Sequence, residues 1–167
     1  IGAIILQVAL NNLGALPVAA YAATQKIDAV AVMPMLSFGY AMAAYTAQNY
    51  GAQKYERIRI GVRACLKMSM AFAVGIGVLL IAFGTFFLEL FVGADAAGAA
   101  EVITYGHTYL IVNGSCYVIL ALLLVYRNVL QGLGQSVVPT IAGAMELIMR
   151  AGAALLLCAP LGFLGAC

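Results

Sequence analysis

The stretch YAATQKIDAVAVMPMLSFGYAMAAYTAQNYG, residues 21–51, decides the fold. As a helix rising about 1.5 Å per residue, it outruns the roughly 30 Å hydrocarbon core of a bilayer. Yet it carries an ammonium, Lys26, and a carboxylate, Asp28, inside an otherwise apolar run. In lipid such groups are expensive, and they face a bundle interior or a wet cavity. The pair therefore bears on function as well as on fold.

The remainder of the chain has the same character. Of its 167 residues, 65% are hydrophobic and 8% charged, with a mean hydropathy of +1.07. A soluble domain carries about 25% charged residues, so this chain has too little polar surface to cover a globule in water. Its apolar runs are continuous rather than alternating, which selects transmembrane helices over a β-barrel. The expected fold is all-α, a polytopic transmembrane helical bundle. A first helix is expected to end near residue 12, closed by NNLG and Pro17. Complete helices are expected at about 18–49, 56–87, 99–130 and 137–158, and a sixth begins after Pro160 and Gly162. That makes about four complete helices and two partial ones. Gly51 is expected to close the first long helix in a left-handed conformation. Pro34 offers a bend, and the glycines of LQGLGQS mark a turn. The chain opens and closes inside apolar runs and reads as a fragment. No charged segment precedes the first run, so a signal peptide is not expected.

Charge fixes an orientation. Lys54, Arg57, Arg59, Arg63 and Lys67 crowd the connection over 51–67, and Arg127 opens the connection over 127–136. The connection over 88–101 carries Glu89, Asp95 and Glu101 and no Lys or Arg. Basic connections stay cytoplasmic, which puts 51–67 and 127–136 inside and 88–101 outside a cell membrane. The basic run is thereby explained without nucleic acid. Cys65, Cys116, Cys158 and Cys167 form no CxxC or Cys/His cluster, so no metal or other cofactor is expected. There is no GxxxxGK[ST] phosphate cradle and no catalytic constellation. The chain is not expected to be an enzyme.

Lys26 and Asp28 are two positions apart, about 200° around a helix, so they cannot neutralise each other. Asp28 shares a face with Tyr21, Thr24 and Gln25; Lys26 lies with Ala22, Ala29 and Met33. Each needs a partner on another helix or access to water. Lys26, about 12 Å from its helix end, could also snorkel. Tyr109, Asn113 and Tyr117, spaced by four with Ser115 nearby, form a polar stripe. It suits either interhelical hydrogen bonding or a cavity wall. Glu146 and Arg150 are an i,i+4 pair with the Glu first, readable as a structural clamp or a switchable pair. His107, beside the acidic connection, reads as a satisfied or solvated group rather than a proton relay.

Three stretches in order carry a family resemblance: VAAYAATQKID, MPMLSFGYAMAAYTAQNYGAQKYERIRIGVR, and YRNVLQGLGQSVVPTIAGAMELIMRAGAALL. Together they resemble the multidrug and toxic compound extrusion (MATE) transporters, in QNYGA before a basic helix start and in LQGLG followed by Pro139 and Glu146-x-x-x-Arg150. The resemblance covers nearly the whole chain and implies two six-helix lobes that open alternately, exporting organic cations in exchange for H+ or Na+. Residues 1–167 would be one such lobe, the C-terminal one, from the end of helix seven to the start of helix twelve. Its partners would be small organic cations, the lipid bilayer and the missing N-terminal lobe. Gln25, Lys26, Asp28, Asn113 and Tyr117 would meet substrate or line the cavity, and Glu146 and Arg150 would form the ion pair or switch. One branch of the family carries a carboxylate on helix ten. The matching position here falls near Leu120, which binds neither cation nor proton, so coupling would need another site. A lipid-linked saccharide flippase of the same superfamily, or a membrane scaffold that transports nothing, are the rival expectations.

Overall fold

The computed structural model describes residues 14–92 and 98–161, with the side chains at 150, 151 and 154–161 left undescribed. The helices expected near residue 12 and after Gly162 lie outside this range, as do Asp95 and the side chains of Arg150, Cys158 and Cys167. Four helices make up the described chain: α1 (Ala15–Gly51), α2 (Tyr55–Val92), α3 (Ala99–Gly132) and α4 (Val137–Leu161). There is no strand among the described residues. The all-α expectation holds. The helices run a few residues further than the sequence suggested, and α4 continues through Pro160 rather than stopping before it. Helix α1 is likewise continuous through Pro34.

The turns at one end share a hydrogen-bond plan. After α1, Gln53 N–H donates to Tyr50 O at 3.0 Å and Lys54 N–H to Asn49 O at 2.8 Å. After α3, Gly134 N–H donates to Gln131 O and Gln135 N–H to Leu130 O, both at 3.0 Å. These paired 5→2 and 6→1 bonds satisfy the last carbonyls of each helix, as a Schellman motif does. The left-handed residue is Gln53 in the first turn, φ 58°, and Gly134 in the second, φ 79°. Gly51 is not the left-handed cap expected of it: it closes the helix proper, and the reversal falls two residues later. Tyr45 clasps this turn through its hydroxyl, which donates to Arg57 O at 3.1 Å, and the Tyr50 and Tyr55 rings meet edge to face at 5.8 Å.

Helix α3 is the central element, packing along both α1 and α2, while α4 touches it over a short stretch. The interfaces are built from small residues. Buried positions include Ala20, Thr24, Ala31 and Gly39 on α1, Ser69, Ala73, Gly77 and Gly84 on α2, and Gly106, Gly114 and Ala121 on α3. Lipid offers apolar side chains as good an environment as a neighbouring helix does, so close backbone approach, rather than hydrophobic burial, holds such helices together. One close approach is at Gly77 and Gly114, where a Cβ placed on Gly77 would lie 2.8 Å from Gly114 O. Larger side chains point outward: Val30, Leu90 and Ile119 are each about two-thirds exposed or more, at 68%, 73% and 67%. Helices α1, α2 and α3 are each long and apolar enough to cross a membrane; the chain is an integral membrane protein.

The sequence of α2 supplies a depth scale. No charge occurs between Lys67 and Glu89, a stretch of about 31 Å at 1.5 Å per residue, matching the hydrocarbon core. Gly77 lies near its middle, so the Gly77–Gly114 contact sits near the bilayer centre. Neighbouring Asn113 and Tyr117 lie at the same level.

Candidate functional site

Helix α1 presents Gln25 and Asp28 to α3 at this central level, and α3 answers with Tyr109, Asn113 and Tyr117. The spacing of four keeps these three on one face of α3, and the spacing of three does the same for Gln25 and Asp28. Tyr117 OH donates to Asp28 Oδ1 at 2.5 Å, and Asn113 Nδ2 donates to the same oxygen at 3.0 Å. Asn113 Nδ2 also donates to Tyr109 OH at 3.1 Å, and Gln25 Nε2 donates to that hydroxyl at 3.0 Å. The result is a continuous chain of bonds, Gln25–Tyr109–Asn113–Asp28–Tyr117. The Tyr21 ring meets Tyr109 edge on at 5.7 Å.

The members differ in exposure, and that shapes what they can do. Tyr117 and Tyr109 are buried, 1% and 6% exposed. Asp28 and Asn113 are half-buried, and Gln25 is exposed. One end of the network is thus anchored in the bundle and the other opens on its surface. Asp28 accepts from neutral donors and makes no ion pair among the described residues. Two hydrogen bonds orient the carboxylate without cancelling its charge. It keeps acceptor capacity for a proton or a cation, since an ionised carboxylate offers about four lone-pair sites.

Lys26 stands apart. It is exposed on the far side of α1, on the face of Ala22, Ala29 and the 65%-exposed Met33, and makes no ion pair among the described residues. The structure does not bring it into the Asp28 network. Glu146 lies at the opposite, basic end, where its Oε2 is 3.9 Å from Arg127 Nη1. The expected partner, Arg150, has its side chain outside the described residues. In the sequence Arg127 stands out only as a topological charge. What brings it to Glu146 is antiparallel pairing across the short 133–136 connection, a signal the i,i+4 spacing within α4 obscures. Arg127 and Glu146 line a groove of about 210 Å³ with Leu123, Tyr126, Leu130, Val138, Pro139 and Ala142. This groove lies between α3 and α4, away from Asp28, and the two sites are separate.

Other residues singled out in the sequence take the following places. His107 Nε2 lies 3.1 Å from Ile81 O, where the following turn of α2 leaves Gly84 open for the ring. Of the two states the sequence suggested, satisfied or solvated, the structure shows the first. Leu120 packs against the main core cluster. No group of His, Cys, Asp and Glu able to hold a metal ion occurs among the described residues, and Cys65 and Cys116 are free thiols, the first buried and the second exposed.

A bundle of membrane-crossing helices, cemented by small residues and carrying an oriented carboxylate at mid-depth, has the build of a membrane transporter. The family model described as MatE matches residues 1–156, and the chain belongs to the MatE family, whose members are transporters rather than enzymes. No curated protein and no solved structure matches the chain.

Proposed function

We propose that residues 1–167 form the C-terminal lobe of a secondary antiporter in the cell membrane, exporting small organic cations in exchange for H+ or Na+. The N-terminal lobe of the same polypeptide completes the cavity, and the lobes rock against each other to open alternately. Connections 51–67 and 127–136 face the cytoplasm and 88–101 faces outside. Asp28 is the observation that carries this reading: a mid-depth carboxylate, positioned by Tyr117 and Asn113 and left with its charge. A cationic side chain in place of those donors would occupy the carboxylate permanently. Neutral donors leave it able to exchange one cation for another. Gln25, Asn113 and Tyr117 supply the polar wall around it, and Lys26, Glu146 and Arg150 set the field of the cavity or hold helices in place.

The test is Asp28→Asn in the full-length protein, assayed by efflux of a fluorescent organic cation from cells. The amide keeps the shape and loses the charge. Efflux falls to background while membrane insertion is normal; wild-type efflux from this variant would leave Asp28 a packing role only.

Lys26 supports a second reading. An exposed ammonium without an ion pair suits the phosphate of a lipid-linked saccharide better than an organic cation, and a flippase would use it. Transport of a dye cation measured against a lipid-linked saccharide separates the two. Lys26, without an ion pair among the described residues, also weighs against a scaffold that transports nothing, which has no use for an uncompensated charge in the membrane.

A further inference from the structure

We propose that the cytoplasmic end of α2 is a binding site for an anionic phospholipid, with Arg63 and Lys67 holding the phosphate and Arg59 above them. The three residues recur every four positions, so they form one stripe along the helix, and all are exposed. Below them the same face continues through Met70, Val74 and Val78, 38%, 52% and 61% exposed. One helix face therefore presents cations and then an apolar track, in the order of a phospholipid's headgroup and acyl chain.

Depth makes the match specific. Lys67 sits at the inner edge of the charge-free stretch, which spans the hydrocarbon core. Arg63 lies one turn, about 6 Å, further out, and Arg59 about 12 Å. The headgroup layer on each side is about 5–8 Å thick. Arg63 and Lys67 thus lie in the phosphate layer, and Arg59 reaches it from the aqueous side. Partners within the protein are scarce. Arg59 makes an exposed i,i+3 contact with Glu56 at 3.7 Å, while Arg63 and Lys67 make no ion pair among the described residues. Two cations held by their helix in the phosphate layer, with no carboxylate paired to them among the described residues, take their counter-charge from the lipid. Basic clusters immediately cytoplasmic of a transmembrane helix bind anionic headgroups on this principle. The site rests on the membrane topology alone and stands apart from the transport reading.

The experiment reconstitutes the full-length protein in phosphatidylcholine vesicles containing trace spin-labelled phosphatidylglycerol or spin-labelled phosphatidylcholine, and measures the fraction of each label immobilised at the protein. The wild type enriches phosphatidylglycerol about fivefold, the scale of one well-placed cation. The double variant Arg63→Gln/Lys67→Gln brings the ratio to near one, and Arg63→Lys/Lys67→Arg retains it. The glutamine variant keeps Lys54, Arg57, Arg59 and Arg127, so its orientation is preserved. Raising the salt on the wild type gives a reading that needs no variant: the enrichment falls as ionic strength screens the contact. Inorganic phosphate at matched ionic strength leaves it unchanged, since the site needs the acyl chain as well. Equal immobilisation of the two lipids by the wild type would overturn the proposal. So would enrichment that survives either the glutamine variant or high salt.

Discussion

Two glycines on α2, two residues apart, offer a controlled test of what holds the bundle together. A Cβ on Gly75 meets nothing within 4 Å, whereas a Cβ on Gly77 would lie 2.8 Å from Gly114 O and 3.9 Å from Tyr117 Cδ2. Gly→Ala in a helix interior gains about 1 kcal/mol from backbone propensity at both positions. Only Gly77→Ala also drives a methyl into a backbone carbonyl, which cannot swing aside, at a cost of about 1–3 kcal/mol. The shared gain cancels in the comparison, so the two variants should differ by about 1–3 kcal/mol, with Gly77→Ala the weaker. For a chain of this size that is a melting difference of about 2–12 °C at about 2–4 °C per kcal/mol. Loss of the monodisperse peak on size-exclusion chromatography after heating measures it. Transport is a second reading. Gly77→Ala pushes on the turn of α3 that carries Asn113 and Tyr117, so it should lower efflux beyond what its reduced yield explains, and Gly75→Ala should not. If Gly77→Ala melts with Gly75→Ala or above it, the contact at Gly114 does not constrain the helices and the packing argument is wrong.

Tyr117→Phe removes one of two donors to Asp28 and keeps the ring. A hydrogen bond to a charged group is worth about 1.5–3 kcal/mol, so efflux should fall at least tenfold, while Tyr126→Phe, at the other end of α3, leaves it unchanged. Lys26→Cys, on a background without the native cysteines, should be labelled by a water-soluble maleimide, because an exposed ammonium at this depth requires water; no labelling would put the face in lipid or in a sealed contact. Gly134→Ala should lower the melting temperature by the cost of a left-handed alanine, about 1–2 kcal/mol, with no steric part, since its Cβ would meet nothing within 4 Å. Gln53→Gly, at the matching position of the other turn, should raise it.

How much of this was legible in the sequence depends on the range of the interaction. Helix existence and order could be read because a lipid-facing helix is apolar almost all round, and that pattern needs no partner. Gln25, Asp28, Asn113 and Tyr117 were legible as candidates because polar groups in such helices stand out singly. That they meet was not, since the bonds join residues 84 to 89 positions apart; local spacing shows which residues share a face and not which face another helix will meet. The turn after α1 misled for a different reason. Glycine is the usual left-handed residue, yet here Gln53 takes the strained conformation while Gly51 stays helical. Arg127 was absorbed by the topology argument, and only the hairpin of α3 with α4 places it against Glu146.

The geometry also ties stability to function at one level of the bundle. On α3, Gly106 and Gly114 are each followed three residues later by a tyrosine, Tyr109 and Tyr117. The glycines admit neighbouring backbone or side chains closely, and the tyrosines turn toward the network around Asp28. The distance of α2 from α3 therefore sets where α3 stands, and so where its hydroxyls stand relative to the carboxylate. Hydrogen bonds weaken steeply outside a narrow range of distance and angle, so a carboxylate held this way needs α1, α2 and α3 to move as one body. Among the described residues, helix α4 is held to α3 over a short stretch with an open groove between them, and the bonds Gln25–Tyr109–Asn113–Asp28–Tyr117 do not involve it. In the rocking proposed above, α1, α2 and α3 would then move together about the charge.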